Sequence, residues 1–215
     1  MSTARRSALT SFKPGRICFI TGTGPAHAAN ALEATVTKLL ECGIRWVQYR
    51  EKYKTKRELF FEALRLREIT RRFGAFFVVN DYADVALAVE ADGVHLGQDD
   101  LPLREARKIM GTRIIGISTH SLEEALEAEQ GGADYIGFGS IFPTATKEVG
   151  VPKGGEMLRS IKAAVSIPVI AIGGIKAENA QAVIAAGCDG VAVSSGLLLG
   201  DIKENAKRFL EMTSS

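Results

Sequence analysis

The chain has 215 residues, of which 46% are hydrophobic and 24% are charged, a composition typical of a globular protein with a large core. Its formal net charge of +2 is too small to indicate the strong basic field that nucleic-acid binding needs, and no apolar run approaches the roughly 18 residues that cross a bilayer. These totals favour neither a nucleic acid nor a membrane as partner, although local basic clusters stay possible, and bulk charge alone names no partner.

The N-terminal stretch MSTARRSALTSFKPG carries two arginines with no apolar segment behind them, so it matches neither a secretory nor a twin-arginine signal. It predicts a flexible tail over residues 1–15, followed by one domain over residues 16–215. The cysteines, Cys18, Cys42 and Cys188, are odd in number and set among apolar residues, which favours buried thiols over disulfides or a zinc site. Reduced thiols are typical of a cytoplasmic protein.

Eight short runs rich in β-forming residues recur along the chain, and a helical segment follows each run. The helical pattern is clearest in TKRELFFEALRLREITRRFG, where Leu59, Ala63 and Leu66 lie on one apolar stripe before Gly74 ends the helix. The predicted strands are ICFIT (17–21), IRWVQYR (44–50), AFFVVN (75–80), GVHL (93–96), RIIGIS (113–118), YIGFG (135–139), PVIAIG (168–173) and GVAVS (190–194).

This alternation of apolar strands with helices indicates a parallel sheet covered by helices. Eight such units in a chain of this length predict an α/β fold consisting of a single (β/α)8 TIM barrel. The alternative is a doubly wound open sheet. The first strand, however, is followed by GTGP at 22–25 rather than by the G-x-G-x-x-G of a dinucleotide site.

Polar residues gather where the predicted strands end, which is the rim at which barrels place their active sites. In VQYREK (47–52), Gln48, Arg50 and Lys52 fall at every second position, so they would share one face of the second strand. The other polar or glycine positions on this rim are Asn80, Asp81, Asp100, Ser118, His120, Lys147, Gly173, Gly174, Ser194 and Ser195.

The cations on this rim suit a pyrophosphate. Arg50 can hold two phosphate oxygens with its planar guanidinium, while Lys52 and Lys147 add positive charge. Ion pairs of these cations with Glu51 or Glu148 are the structural alternative.

The carboxylates suit a metal. Asp81 and Asp100 offer hard oxygens for a Mg²⁺ that keeps water and substrate phosphates as its other ligands. Capping of a helix N-terminus is the alternative for either aspartate. The three histidines show no zinc-ligand spacing, and His95 within GVHLG is expected to be a hydrogen-bonded core residue.

A second anion site is expected at the ends of strands seven and eight. Gly173 and Gly174 follow strand seven, and Ser194 and Ser195 follow strand eight, where barrels build phosphate sites from backbone N–H groups. A pair of glycines is also an ordinary feature of tight turns.

The motifs QYREK, VND, GVHLGQDD, IGIS-x-H, ADYIGFG, FPTATK, IPVIAIGGI and DGVAVSS resemble, in this order, those of the thiamine-phosphate synthase family over about residues 17–200. Proteins of that family are (β/α)8 barrels that join hydroxymethylpyrimidine pyrophosphate to a thiazole phosphate with Mg²⁺ and release pyrophosphate. The resemblance implies that the chain is a transferase of thiamine biosynthesis.

Residue by residue, the resemblance implies two substrate sites and a metal site. The pyrimidine pyrophosphate would be held by Gln48, Arg50, Lys52, Asn80 and Lys147. The thiazole phosphate would be held by Thr144, Thr146, Gly174, Ser194 and Ser195. Asp81 and Asp100 would hold Mg²⁺, and Ser118 would lie near the reacting centre, so that Arg50, Lys52, Ser118 and Lys147 are the expected catalytic residues.

Two other functions stay open. The related thiazole tautomerase, which resembles this chain in its second half, uses a histidine at the position of His120 for acid–base catalysis but has no use for a pyrophosphate site. A non-catalytic regulator that binds thiazole phosphate is the third possibility. Since Ser118 has only His120 near it in the chain, covalent catalysis lacks a candidate and a dissociative substitution is expected. The sequence is compatible with a homo-oligomer but does not indicate one.

Overall fold

The computed structural model describes residues 15–22, 29–143 and 152–213. Eight parallel strands pair in chain order, and the first strand pairs with the eighth to close a barrel. This arrangement confirms the predicted (β/α)8 barrel and excludes the open sheet. The strands are β1 (Ile17–Ile20), β2 (Trp46–Tyr49), β3 (Phe76–Asn80), β4 (Gly93–Leu96), β5 (Ile114–Thr119), β6 (Tyr135–Phe138), β7 (Val169–Ile172) and β8 (Gly190–Val193).

The described part of the chain contains nine helices, one more than predicted, because a four-residue helix precedes the last one. The helices are α1 (Ala29–Glu41), α2 (Lys56–Arg72), α3 (Ala83–Ala88), α4 (Leu103–Met110), α5 (Leu122–Gly131), α6 (Gly154–Ala164), α7 (Ala177–Ala185), α8 (Ser195–Leu198) and α9 (Ile202–Thr213). None of these helices is long and apolar enough to cross a membrane.

Two separate apolar cores follow from the alternation of side chains along each strand. In β2, Val47 and Tyr49 point outward into the large core between strands and helices, whereas Trp46 and Gln48 point into the barrel. The inner core consists of Cys18, Ile20, Trp46, Val78, Ile114, Tyr135, Ile170 and Ala192. Side chains therefore fill the interior of the barrel, and space for a ligand is expected at the carboxyl ends of the strands.

A repeated aspartate contact ties the strands together at the opposite end of the barrel. Asp92, Asp134 and Asp189 stand just before or at the start of β4, β6 and β8. Each carboxylate accepts a backbone N–H of the preceding strand at 2.7–2.8 Å and forms an ion pair with the helix that leads into that strand. The cations are Arg67, Arg107 and Lys162. This end is thus built for stability, which leaves the chemistry to the other rim.

The three cysteines are free thiols. Cys18 and Cys188 are buried, and burial raises the pKa of both thiols, so they remain protonated at neutral pH. The prediction of burial is wrong for Cys42, which is partly exposed because it lies one residue beyond the end of α1.

Candidate active site

A cavity opens at the carboxyl ends of the strands, on the rim where the sequence places its polar residues. Five of the predicted substrate residues line it: Arg50, Ser118, Gly174, Ser194 and Ser195. The apolar side chains of Ile20 and Ile172 form part of its floor. Charged, hydroxyl and backbone groups from β2, β5, β7 and β8 therefore converge on one space.

Arg50 lies on a loop rather than on a strand, because β2 ends at Tyr49. The hydroxyl of Thr21 accepts the Arg50 N–H at 2.8 Å and donates to the Arg50 carbonyl at 2.9 Å, replacing the ladder hydrogen bonds at this point. The prediction that Gln48, Arg50 and Lys52 form one row on a strand is therefore wrong for the last two residues. Arg50 nevertheless lines the cavity, as its predicted place on the rim implies.

A chain of hydrogen bonds runs along the rim from β2 to β3. Buried Gln48 donates from Nε2 to the Asn80 side-chain oxygen at 2.9 Å, and the Asn80 amide donates to Oδ1 of Asp81. Oδ2 of Asp81 accepts from Lys52 Nζ at 2.5 Å. Four predicted ligand residues are thus connected. The ion pair of Lys52 is with Asp81 rather than with Glu51, whose carboxylate bonds the backbone N–H of Lys52 and not its ammonium.

Asp81 combines an unusual backbone conformation with a carboxyl group whose pKa is raised. Its φ of 66° lies in the left-handed region, which few residues other than glycine, asparagine and aspartate occupy. Burial raises the pKa of its carboxyl, and the neighbouring Asp100 carboxylate raises it further, against the lowering effect of Lys52. Two carboxylates that disfavour each other's charge fit a shared cation.

Asp100 is held from the other side, because its Oδ2 accepts the Gly97 N–H at 2.7 Å. Within the described ranges, no group of three or more histidine, cysteine, aspartate or glutamate side chains could hold a metal. Two carboxylates are the number that Mg²⁺ commonly takes from a protein, with water and phosphate oxygens in its other positions, so Asp81 and Asp100 are the residues that could hold such an ion.

Ser118 has a partner that the sequence did not reveal. Its Oγ lies 2.9 Å from Nε2 of His95, and Nδ1 of His95 lies 2.9 Å from the Tyr135 hydroxyl. Gly116 and Gly137 make room for this chain inside the barrel: a Cβ at Gly116 would lie 2.1 Å from the Tyr135 ring, and one at Gly137 would lie 3.1 Å from the His95 ring. His95 is a hydrogen-bonded interior residue, as predicted. The expectation that only His120 is near Ser118 is wrong.

The loops after β7 and β8 bring backbone and hydroxyl groups to the cavity. Gly173 and Gly174 have φ values of 99° and 64°, and a Cβ on Gly174 would lie 2.5 Å from the Pro143 carbonyl oxygen. Glycine is therefore required here by both conformation and space. Ser194 makes no side-chain hydrogen bond to the helix that follows it, and Ser195 begins that helix and is exposed. Both hydroxyls border the cavity.

His120, two residues beyond Ser118 in the chain, also lines the cavity. Its Nδ1 lies 3.0 Å from Oε2 of Glu124, and the same oxygen accepts the His120 backbone N–H at 2.7 Å. Glu124 thus fixes both the ring and the backbone of this residue at the start of α5. Three further predicted ligands, Thr144, Thr146 and Lys147, lie outside the described residues.

Comparison with known proteins places these residues in a family. The family model for thiamine monophosphate synthase matches residues 17–197. A thiamine-phosphate synthase from Chloroflexus aurantiacus is 48% identical over 188 residues, covering 87% of this chain and 85% of that protein. One from Moorella thermoacetica is 50% identical over 175 residues, covering 80% and 83%. The solved thiamine phosphate pyrophosphorylase from Pyrococcus furiosus has 41% identity and a TM-score of 0.83, with 93% of this chain and 95% of that chain covered.

Proposed function

Because the chain belongs to the thiamine monophosphate synthase family, we propose that it joins hydroxymethylpyrimidine pyrophosphate to a thiazole phosphate, forming thiamine phosphate and releasing pyrophosphate. The observation that carries the proposal is a single cavity that is lined both by the cationic residue Arg50 and by Gly174, Ser194 and Ser195, the glycine and serine positions expected to hold a phosphate. Such a cavity suits two phosphorylated substrates that meet in the middle.

The pyrophosphate wall would be formed by Arg50, Lys52 and Lys147, with Gln48 and Asn80 below them. The Thr21 hydroxyl holds the Arg50 backbone by two hydrogen bonds, so the side chain that lines the cavity extends from a fixed main chain and would bind phosphate oxygens through its guanidinium. Gln48 and Asn80 are buried and bonded to each other, so their remaining donors and acceptors suit the polar edge of an aminopyrimidine ring.

Asp81 and Asp100 are the residues that would hold Mg²⁺. Their fit rests on two neighbouring carboxylates, because a cation between them would relieve their mutual repulsion. The Lys52 ammonium already neutralises part of this negative charge through its ion pair with Asp81. A bound Mg²⁺ would supply Lewis-acid stabilisation of the charge that develops on departing pyrophosphate. Lys52 would then be able to turn from Asp81 to the phosphate oxygens, because the metal ion would neutralise the Asp81 carboxylate in its place.

The thiazole phosphate would rest against Gly174, Ser194 and Ser195, with Thr144 and Thr146 contributing from their loop. Backbone N–H groups and hydroxyls bind a phosphate without adding a cation that competes for pyrophosphate. Gly174 is held by Asn179, whose amide donates to the Gly174 carbonyl at 3.0 Å. That contact fixes the peptide orientation on which the phosphate depends.

The reaction that fits these residues is a dissociative substitution. The cationic wall stabilises the leaving pyrophosphate, so the carbon–oxygen bond can break before the new bond forms. The thiazole ring nitrogen already carries a lone pair, so no general base is needed for its attack. Ser118 would lie beside the reacting carbon, held by His95, and the closeness of the two residues serves to orient the serine hydroxyl.

The test is to incubate the purified protein with both phosphorylated substrates, with and without Mg²⁺, and to detect pyrophosphate and thiamine phosphate. Stoichiometric formation of both products supports the proposal. Conversion of one thiazole phosphate isomer to another without pyrophosphate release would instead indicate a tautomerase. Binding of thiazole phosphate with no turnover would indicate a regulator. Arg50→Ala is the matched variant, and it should abolish turnover while the melting temperature changes little.

A further inference from the structure

A buried polar network lies beneath the loop that joins β2 to α2. Glu51 and Glu62 are 7% and 2% exposed, which is unusual for carboxylates. The Nζ of Lys54 lies 2.7 and 2.8 Å from the two carboxylate oxygens of Glu62 and 3.9 Å from Oε2 of Glu51. One lysine is thus shared between two buried carboxylates.

The network joins the loop to both flanking elements. Tyr49, the last residue of β2, donates its hydroxyl hydrogen to Oε2 of Glu62 on α2. Burial raises the pKa of Tyr49 and the Glu62 carboxylate raises it further, so the phenol keeps its proton and stays a donor. Oε1 of Glu51 accepts the backbone N–H groups of Lys52 and Tyr53 at 2.7 and 2.9 Å. The backbone of Lys52 is therefore fixed by a carboxylate.

Glu51, Lys54 and Glu62 are not among the described residues that line the cavity, and their charged groups are paired with one another rather than left open to a ligand. Burying two carboxylates around one lysine is a weak source of stability, because the desolvation of the charges offsets much of their attraction. What the network does achieve is local. It holds the short segment that carries Arg50 and Lys52, whose other anchors are Thr21 and Asp81.

We propose that Glu51, Lys54 and Glu62 are positioning residues that fix the β2–α2 loop so that Arg50 and Lys52 present their charges to a pyrophosphate group. This inference rests on the proposed function for the identity of the anion. The network itself is a property of the free protein. Arg50 and Lys52 gain affinity from it because their backbone is already ordered before the ligand arrives.

The experiment compares Lys54→Met and Glu62→Gln with the conservative Lys54→Arg and with a control, Lys56→Met. Lys56 is two residues away and forms an exposed ion pair with Asp84, so its replacement removes the same charge without touching the network. Calorimetry in Mg²⁺ buffer measures the affinity for inorganic pyrophosphate. Steady-state kinetics measure KM for each substrate and kcat. Hydrogen exchange measures protection of the peptide covering residues 50–55 in the free protein.

The first two variants should lose roughly tenfold or more in pyrophosphate affinity and raise KM for the pyrophosphate substrate, by analogy with losses at outer-shell partners of bound ions. KM for thiazole phosphate should not change, and Lys54→Arg should retain most of the affinity. Exchange of residues 50–55 should accelerate in the same two variants while the rest of the barrel is unaffected.

Equal losses for both substrates, or unchanged exchange at residues 50–55, would overturn the proposal. So would a loss in Lys56→Met as large as in Lys54→Met. Failure of the proposed function has a different signature, because the unmodified protein would then bind no pyrophosphate. The exchange comparison would still decide whether the network orders the loop.

Discussion

Lys52 forms an ion pair with Asp81 across the rim of the barrel, with Nζ 2.5 Å from Oδ2 of the aspartate. The resemblance and the proposed function give the two residues different ligands, pyrophosphate for Lys52 and Mg²⁺ for Asp81, and both remain predictions. Each therefore neutralises the other until the ligands arrive. In the proposed function, Asp81 would hold Mg²⁺ and the Lys52 ammonium would be available to phosphate oxygens.

Lys52→Met should weaken binding of the pyrophosphate substrate by about tenfold while changing the free energy of unfolding by less than about 1 kcal/mol, because the Lys52 side chain is 42% exposed. Titration with the substrate and chemical denaturation measure the two quantities. Lys108→Met removes a lysine from a surface pair with Glu105 and is the control. Undiminished affinity in Lys52→Met would show that the lysine serves Asp81 alone.

Asp81→Asn should separate stability from function. Burial and Asp100 raise the pKa of Asp81, so the folded state holds this proton more tightly than the unfolded state does. The free energy of unfolding therefore falls as the pH rises from the pKa of this carboxyl in the unfolded state to its pKa in the folded state. Asparagine removes that charge and tolerates the φ of 66°. The variant should be more stable above that pH range, by about 0.5–1 kcal/mol, and should need more Mg²⁺ for turnover.

Thermal denaturation across pH and Mg²⁺ titration of the rate test both halves of this prediction. A less stable variant would mean that the ion pair with Lys52 outweighs the repulsion from Asp100. Full activity of the wild-type protein in excess chelator would remove the metal from the reaction.

Asp134→Asn should reduce stability strongly without affecting the chemistry. The carboxylate is 4% exposed, and its replacement leaves the Arg107 guanidinium without a charge partner. Because Arg107 is 25% exposed, we expect a loss of about 2–3 kcal/mol, below the full range for a buried pair. Urea denaturation measures this loss. Glu105→Gln on the exposed face of α4 should cost under about 0.5 kcal/mol.

Turnover per folded molecule should be unchanged in Asp134→Asn, because Asp134 stands at the start of β6, at the end of the barrel opposite the cavity. A variant with normal stability but impaired turnover would contradict the division of labour between the two ends.

The sequence sufficed for the barrel because each strand carries its own apolar run and a helical segment follows each strand. It also placed Arg50, Ser118, Gly174 and Ser195 on one rim, since the carboxyl ends of parallel strands must meet there. These inferences need only the local pattern and the rule that parallel strands share a direction. They do not depend on which side chains touch.

Contacts across the closed barrel could not be predicted in the same way. The bond from His95 to Ser118 requires β4 and β5 to pair with His95 opposite Gly116, and Gly137 on β6 leaves room for the His95 ring. Glu51, the ion-pair partner that the sequence suggests for Lys52, is its neighbour in the chain, whereas the observed partner, Asp81, is 29 positions away. The sequence signal for the His95 contact was the pair of glycines Gly116 in IGIS and Gly137 in YIGFG, which occupy inward-facing positions on adjacent strands.

The last prediction concerns the order of bond breaking. His95 and Ser118 have the geometry of a base and a nucleophile, yet His95 is also held by Tyr135 in the barrel interior, which suits orientation better than proton transfer. In the dissociative reaction, positive charge builds on the pyrimidine methylene carbon as pyrophosphate leaves.

Electron-withdrawing substituents on the pyrimidine should therefore slow turnover sharply, because they destabilise that charge. His120→Ala should be tolerated far better than Lys147→Ala, since the thiazole nitrogen needs no base whereas the leaving group needs a cation. Rates with substituted substrates and the two variants measure this difference. Insensitivity of the rate to the substituents would favour associative attack. An inactive His120→Ala protein that still binds both substrates would point to acid–base chemistry through the His120–Glu124 pair.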